Sequence, residues 1–156
     1  MQRFQILFWK GSGPIGAMIR WQSRGEYAHA AILDTYERQV YESREGKGVQ
    51  VLSLDKVRNE NPYSLCLEVG VPLDDGKVGR FLKKQVGKKY DWSSVFRFVS
   101  RRQASRKSAG VWFCSEYAFA AIQAGGVDLF RDTEPWEVDP AFLSKSPHLV
   151  TPKVTP

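Results

Sequence analysis

Short runs of hydrophobic residues, several of them alternating with polar residues, fill much of the first half of the chain. Such runs predict β-strands with at least one buried face. They cover residues 2–9, 28–34, 39–44, 46–54 and 64–71. The links between them are short, which favours an antiparallel sheet.

Other segments carry hydrophobic residues at helical spacing. They predict helices at residues 14–25, 74–87 and 92–99, a later one closed by Gly125 and Gly126, and a short one within 138–146. The expected apolar stripes are Ile15, Met18, Ile19 and Trp21 in the first helix, and Val78, Phe81, Leu82 and Val86 in the second. We therefore expect an α+β fold, a small antiparallel sheet with packed helices, forming one domain over 1–156 with a loose tail from about 147.

The composition fits one globular domain. The chain has 156 residues, 42% of them hydrophobic and 26% charged. Its first apolar run, Ile6 to Trp9, is too short for a signal peptide, and no run approaches the ~20 residues of a membrane span. We therefore expect a soluble protein.

Two cysteines suit a reduced compartment, and Cys66, in the alternating run YSLCLEV, is predicted to be a packed core thiol.

The net charge of +6 is partly concentrated in one segment. Residues 97–107, RFVSRRQASRK, carry five basic residues and no acidic one. This run favours an anionic partner, such as nucleic acid, an acidic wall polymer or lipid headgroups. A solvated loop is the alternative interpretation, and no recognisable nucleic-acid module accompanies the run.

One late helix begins with a cysteine and has a face of small residues. In VWFCSEYAFAAIQAGG (111–126), Cys114 falls in the first turn, and Ala118, Ala121 and Gly125 share its face. Such a face lets a helix pack closely against a sheet. The free N–H groups and dipole of a first turn favour a thiolate and can hold an oxyanion. Cys114 is therefore a candidate nucleophile, while a simple packing role remains the alternative.

A thiol nucleophile needs a base, and the chain contains two histidines. His148 lies near the tail, whereas His29 lies in the strand AHAAILD, where alanines leave space around its ring. Glu42, on the next strand, can orient the imidazole if the hairpin loop is even-numbered, such as Tyr36–Glu37. Ala31 then faces Glu42, and His29 and Glu42 become diagonal neighbours about 7–8 Å apart at Cα. An odd-numbered loop puts Glu42 on the opposite face, and parity alone leaves both possibilities open.

Metal chemistry is not indicated by the spacing of potential ligands. The two cysteines and two histidines form no CxxC or HxxxH pattern, so a zinc site is not predicted. We expect no cofactor.

Several segments resemble the circularly permuted branch of the NlpC-type papain-like cysteine hydrolases, the YiiX-like group. They are GPIGAMIRWQSRGEYAHAAIL, VYES followed by GVQVLSL, VGKKYDWSSVF, and WFCSEYAFAA. In that group a histidine strand comes first, then an acidic residue on the next strand, a Gly-x-x-Tyr-Asp segment, and Cys-Ser-Glu opening a helix. This chain supplies His29, Glu42, residues 87–91 and residues 114–116 in that order. Alanines flank His29 where the group commonly has other residues.

The resemblance implies a circularly permuted papain-like fold with a Cys–His–Glu site. Cys114 would be the nucleophile, His29 the general base and acid, and Glu42 the orienting group. Tyr27, Tyr90 and Ser115 are further candidates for lining the site or holding an oxyanion, with a packed aromatic as the alternative for Tyr90.

The implied function is hydrolysis of an amide or other acyl bond, as a peptidase or amidase on bacterial cell-wall peptides. A lipid or thioester acyl hydrolase, or an acyltransferase, is the nearest alternative. A non-catalytic, basic nucleic-acid-binding module is the second. Under the leading hypothesis the partners are a peptide or acyl substrate and an anionic cell-wall polymer or lipid. Nucleic acid is not an expected partner, and the protein is expected to be a monomer.

Overall fold

An antiparallel sheet of six strands forms the centre of the chain. The structure, a computed structural model, describes residues 2–93 and 110–153. The strands are β1 (Phe4–Trp9), β2 (His29–Asp34), β3 (Gln39–Arg44), β4 (Gly48–Ser53), β5 (Leu65–Val69), the short β6 (Lys89–Tyr90) and β7 (Val111–Trp112), and β8 (Leu149–Val150). The large sheet has the order β4-β3-β2-β1-β5-β8, and β6 pairs with β7 in parallel. The α+β class and the five longer strands are confirmed.

Five α-helices surround the sheet within the described ranges. They are α1 (Gly13–Ser23), α2 (Leu54–Glu60), α3 (Asp75–Gln85), α4 (Cys114–Ala124) and α5 (Pro140–Leu143). The sequence did not indicate α2, because it is short, follows β4 directly and has only Leu54 and Val57 as buried residues. Residues 94–99 of the helix predicted over 92–99 lie outside the described residues, and so does the whole basic segment 97–107.

The two faces of the sheet carry separate hydrophobic clusters. On one face, residues such as Ala30, Ile32 and Tyr41 pack with α3 and α4. On the other, Ala31, Leu33 and Val40 are among those that pack with α2. This split follows from strand geometry, in which successive side chains point to opposite faces.

Helix α4 packs closely through its small residues, as predicted. Ala118 and Ala121 are fully buried, and α4 contacts β2 more extensively than any other strand. Gly125, at the end of the same face, packs elsewhere. A Cβ atom there would come within 2.5 Å of Leu73 and 2.6 Å of Val78, so the missing side chain lets the helix end approach the start of α3.

Two residues of the predicted apolar stripes face solvent. Trp21 is 72% exposed, because Gly16 and Ile19 form the buried side of α1 and Trp21 lies about 200° around the helix from Ile19. Val86 is 44% exposed and follows the last residue of α3. Gln85 is buried instead, because its side-chain oxygen accepts a hydrogen bond from the Trp112 indole at 3.2 Å.

The segment predicted to be loose from about 147 contains an ordered strand. Val150 pairs with Glu68 and Leu149 with Val69, and the His148 carbonyl accepts a hydrogen bond from Gly70 N at 2.8 Å. Backbone pairing of this kind does not depend on side-chain pattern, and two residues are too few to show one. In the ranges the structure describes, no helix has the length and hydropathy needed to cross a membrane.

Candidate active site

His29 and Glu42 form a direct hydrogen bond at one end of the sheet. His29 Nε2 lies 2.7 Å from Glu42 Oε2. Ile32 pairs with Tyr41 in the β2–β3 register, so Ala31 faces Glu42 and the even-numbered hairpin is confirmed. Both side chains lie on the sheet face that α2 covers.

Glu42 is held by groups on both of its oxygens. Its Oε1 accepts a hydrogen bond from Gln50 Nε2 at 2.7 Å and lies 3.7 Å from the Arg44 guanidinium. Gln50 stands directly opposite Glu42 on β4. Burial raises the pKa of Glu42, but the hydrogen bonds from His29 and Gln50 and the charges of His29 and Arg44 outweigh it, so the net shift is downward. The side chain is therefore a carboxylate at neutral pH.

Cys114 occupies the first position of α4 and reaches His29 from the other side. Cys114 is only 1% exposed, and it lies close enough to His29 to raise the pKa of the ring. Burial lowers the pKa of His29, but hydrogen bonds with Cys114 and Glu42, and their charges, raise it to about 10. This environment favours an imidazolium ring.

The residues before Cys114 are fixed by a second set of bonds. The Trp112 carbonyl accepts hydrogen bonds from Ser43 Oγ at 2.7 Å and from Asp91 N at 3.0 Å. Phe113 N donates to Glu116 Oε2 at 3.2 Å, inside the first turn of α4. The VYES and Tyr-Asp segments therefore hold the cysteine helix in place. Sequence reasoning missed Ser43 in this role because a serine on a strand gives no specific signal.

A pocket opens at the His29 ring. Its volume is about 510 Å³, open solvent included. Ile15 and Ile19 of α1 line one side, and Arg44, Glu45 and Asn61 bring polar groups to its wall. Trp9, opposite His29 in the β1–β2 register, packs against the histidine with ring centroids 5.2 Å apart. Hydrophobic periodicity marked Trp9 only as a core residue of β1.

The three further candidates have different surroundings. Tyr90 lines the pocket and packs in one small cluster with Cys114; burial first, then the charge of Cys114, raises its pKa. Ser115 is fully buried and its hydroxyl donates to the Val138 carbonyl at 2.6 Å. Tyr27 packs against Phe8 with centroids 5.5 Å apart. The side chains of Ser115 and Tyr27 therefore serve packing, and neither lines the pocket at His29.

The fold and the cluster together define an α+β protein that brings a cysteine, a histidine and a glutamate together at one end of its sheet. No protein-family model matches the sequence, and no curated protein does. The chain is similar in structure to metalloprotein yiiX from Escherichia coli O157:H7, DUF1105, with a TM-score of 0.71 and 18% sequence identity over 96% of this chain and 94% of that one. At this identity the likeness shows a YiiX-like fold.

The donor groups of this chain do not form a metal site in the described residues. Within 2–93 and 110–153, no three His, Cys, Asp or Glu side chains are grouped so that they could hold a metal ion. Both carboxylate oxygens of Glu42 are also engaged in hydrogen bonds, one with His29 and one with Gln50. The described residues of this chain therefore offer no set of metal ligands, although the similar structure is described as a metalloprotein.

Proposed function

We propose that this protein is a cysteine hydrolase that cleaves an amide or other acyl bond. The observation that carries the proposal is the His29 ring, which contacts the Glu42 carboxylate at 2.7 Å and whose pKa is raised by both Cys114 and Glu42. A nucleophile, a base in contact with it and a group that orients the base are the parts that such chemistry requires.

The geometry supports a two-stage mechanism. The thiolate of Cys114 attacks the acyl carbonyl, and the N–H groups of the first turn of α4 stabilise the oxyanion. Imidazolium His29 then donates its proton to the leaving amine, which leaves a thioester on Cys114. His29 next removes a proton from water, the hydroxide attacks the thioester, and the carboxylic acid leaves as the Cys114 thiolate and the imidazolium are restored. Glu42 stays ionised and stabilises the imidazolium in both stages.

The chain order of the three residues supports a circularly permuted papain-like, NlpC-type site. His29 and Glu42 come from β2 and β3, before the Cys114 helix in sequence. This is the reverse of the papain order, in which the cysteine helix comes first. The proposal thus explains why the nucleophile lies late in the chain and the base early.

The pocket favours a peptide or amide substrate. Charged and amide groups from Arg44, Glu45 and Asn61 reach its wall, as recognition of a polar substrate requires. The cell-wall peptides of bacteria are the class that we propose. A lipid or thioester acyl substrate would be better served by a wholly apolar groove. The nucleic-acid-binding alternative requires a Cys114 without a nearby histidine, and the contact with His29 disfavours it.

An acylation experiment tests the proposal. The protein is incubated with p-nitrophenyl acetate, and its intact mass is followed over time. We expect one acetyl group on Cys114. The rate of acetylation should be lower in His29→Ala by a factor of about 100 or more, because a general base contributes at least that much. Acetylation of His29→Ala at the wild-type rate would remove the base from the mechanism.

Cys66 provides the matched control. It is buried, its thiol donates to Gln5 Oε1 at 3.2 Å, and burial raises its pKa to about 12. Cys66→Ser should therefore acetylate like the wild type, while Cys114→Ser should form no thioester. An unmodified Cys114 beside an acetylated Cys66 would contradict the proposal.

A further inference from the structure

A second pocket lies next to the catalytic one and shares Tyr90 with it. Its volume is about 540 Å³, open solvent included. It is built from two turns, one between β3 and β4 and one between α3 and β6, together with Trp92. The catalytic proposal uses none of its lysines.

The two turns are fastened to each other by backbone hydrogen bonds. Val49 N donates to the Lys88 carbonyl at 2.8 Å, and Gly87 N donates to the Val49 carbonyl at 2.9 Å. Gly48 makes this close approach possible, because a Cβ atom there would lie 2.3 Å from Lys88 O. The pocket therefore has a defined backbone frame, and the positions of its lysines along that frame are fixed.

The pocket is lined by three lysines and by no acidic residue. Lys47, Lys88 and Lys89 all line it, and none of them forms an ion pair with a residue in 2–93 or 110–153. Like charges placed together repel one another. An anion bound among the three ammonium groups removes that repulsion, and phosphate is an anion that lysine binds as a point charge.

An aromatic surface stands beside the lysines. Trp92 is 45% exposed, and the edge-to-face packing of Tyr90 and Trp92, with centroids 5.3 Å apart, holds the indole in position. A half-exposed indole offers a flat apolar face against which a ring can lie.

We propose that this pocket binds a phosphate group attached to a sugar-like ring, with the phosphate among the lysines and the ring on Trp92. As a binding site it is independent of the chemistry at Cys114. Its use in catalysis rests on the proposed function: because Tyr90 lines both pockets, a substrate could keep its phosphorylated part here while its acyl bond reaches Cys114.

Titration with glucose 1-phosphate tests the site. Amide NMR spectra are recorded at fixed ionic strength, and we expect the amides of Gly46, Gly48 and Gly87 and the Trp92 indole to shift together. Lys88→Gln/Lys89→Gln should weaken binding by about 100-fold or more, because two charged donors to the phosphate are lost. Absence of shifts at the three glycines would overturn the proposal.

The control removes the same charge from a neighbouring surface. Lys83 and Lys84 are exposed in the last turn of α3 and do not line the pocket. Lys83→Gln/Lys84→Gln should therefore keep the affinity within about twofold of the wild type. Equal weakening by both double variants would show a general charge effect and would also overturn the proposal.

Two further experiments identify the chemical class of the ligand. Trp92→Ala should abolish the preference for glucose 1-phosphate over inorganic phosphate; an unchanged preference would refute the role of the ring. Vesicles containing phosphatidylinositol 4-phosphate present similar chemistry on a lipid. Binding to free glucose 1-phosphate but not to vesicles identifies a soluble or polymer-borne phosphate as the source, and tighter binding to vesicles identifies a headgroup.

The outcome does not depend on the hydrolase proposal. Cys114→Ala should bind glucose 1-phosphate as the wild type does, because Cys114 does not line this pocket. A failed titration beside normal acetylation of Cys114 would refute only the phosphate site. Normal binding without acetylation would refute only the hydrolase.

Discussion

Glu42 connects three strands through its side chain. It receives hydrogen bonds from His29 on β2 and from Gln50 on β4, each at 2.7 Å. A carboxylate with only one partner could rotate away from the imidazole. Gln50 opposes that rotation, because its amide N–H binds the oxygen that does not face His29. We therefore regard Gln50 as a positioning residue for the proposed base.

The protonation of His29 provides a direct measurement of this arrangement. The chain has only two histidines, so ring NMR signals can be assigned to each of them. We expect the pKa of His29 near 10 in the wild type and about 1–3 units lower in Glu42→Gln, because a carboxylate within hydrogen-bond distance stabilises imidazolium by about that much. Gln50→Ala should lower it by less.

His148 serves as the internal reference for that titration. It is exposed near β8, at the opposite edge of the sheet from β4, so neither substitution should move its signals. An unchanged His29 titration in Glu42→Gln would show that the 2.7 Å contact does not stabilise the charged ring.

At the scale of secondary structure, the site depends on how short elements hold α4 and the residues before it. Gly48 has φ +75° and touches the Lys88 backbone, which leads into β6. β6 pairs with β7, and β7 leads directly to Cys114. A side chain added at Gly48 would therefore displace the Lys88 backbone, and through β6 and β7 it would shift the residues that precede Cys114.

Two neighbouring glycines separate the conformational cost from the steric cost. Gly46 has φ +74° with open space around its Cα, whereas a Cβ at Gly48 would lie 2.3 Å from Lys88 O. We expect Gly46→Ala to lower the free energy of unfolding by about 1–2 kcal/mol, the cost of left-handed alanine. Gly48→Ala should cost clearly more, as measured by urea unfolding. Equal losses would mean that the β4–β6 contact tolerates a methyl group.

The sequence predicted the larger elements and missed those without a pattern of their own. Periodicity identified the five longer strands, α1, α3 and α4, and the hairpin parity that puts His29 and Glu42 on one face was one of two open possibilities. β6, β7 and β8 have two residues each, too few for a period, and α2 is a short, mostly polar segment in which only Leu54 and Val57 are buried. Gln50 and Ser43 could not be identified, because their roles arise only from cross-strand register and from contact with β7.

At the scale of the whole molecule, the His29–Glu42 pair makes stability depend on pH. The pKa of His29 is raised to about 10, so its contribution is complete below its ordinary value of 6.5 and is lost as the pH rises through about 10. The pKa of Glu42 is lowered, so its contribution is present above its ordinary value of 4.5 and is lost as the pH falls through the folded-state pKa. Both contributions are complete between pH 4.5 and 6.5.

This window can be measured from the free energy of unfolding. The difference between the wild type and Glu42→Gln should be largest at pH 5–6.5 and should shrink toward pH 10, by about 1.4 kcal/mol for each unit by which the variant lowers the pKa of His29. Glu60→Gln removes an exposed carboxylate from α2 and should show no such trend. A difference that stays constant from pH 5 to 10 would contradict the linkage.

The short strand β8 has a consequence for the behaviour of the protein in concentrated solution. It pairs with the outer side of β5, while the turn at Gly87 and Lys88 bonds to the outer side of β4. Unpaired strand edges are templates on which other chains can add strands and begin to aggregate. Because segments of the same chain pair with part of β5 and part of β4, fewer backbone groups of these two strands are available for such growth. The last described residues thereby help to keep the molecules apart from one another.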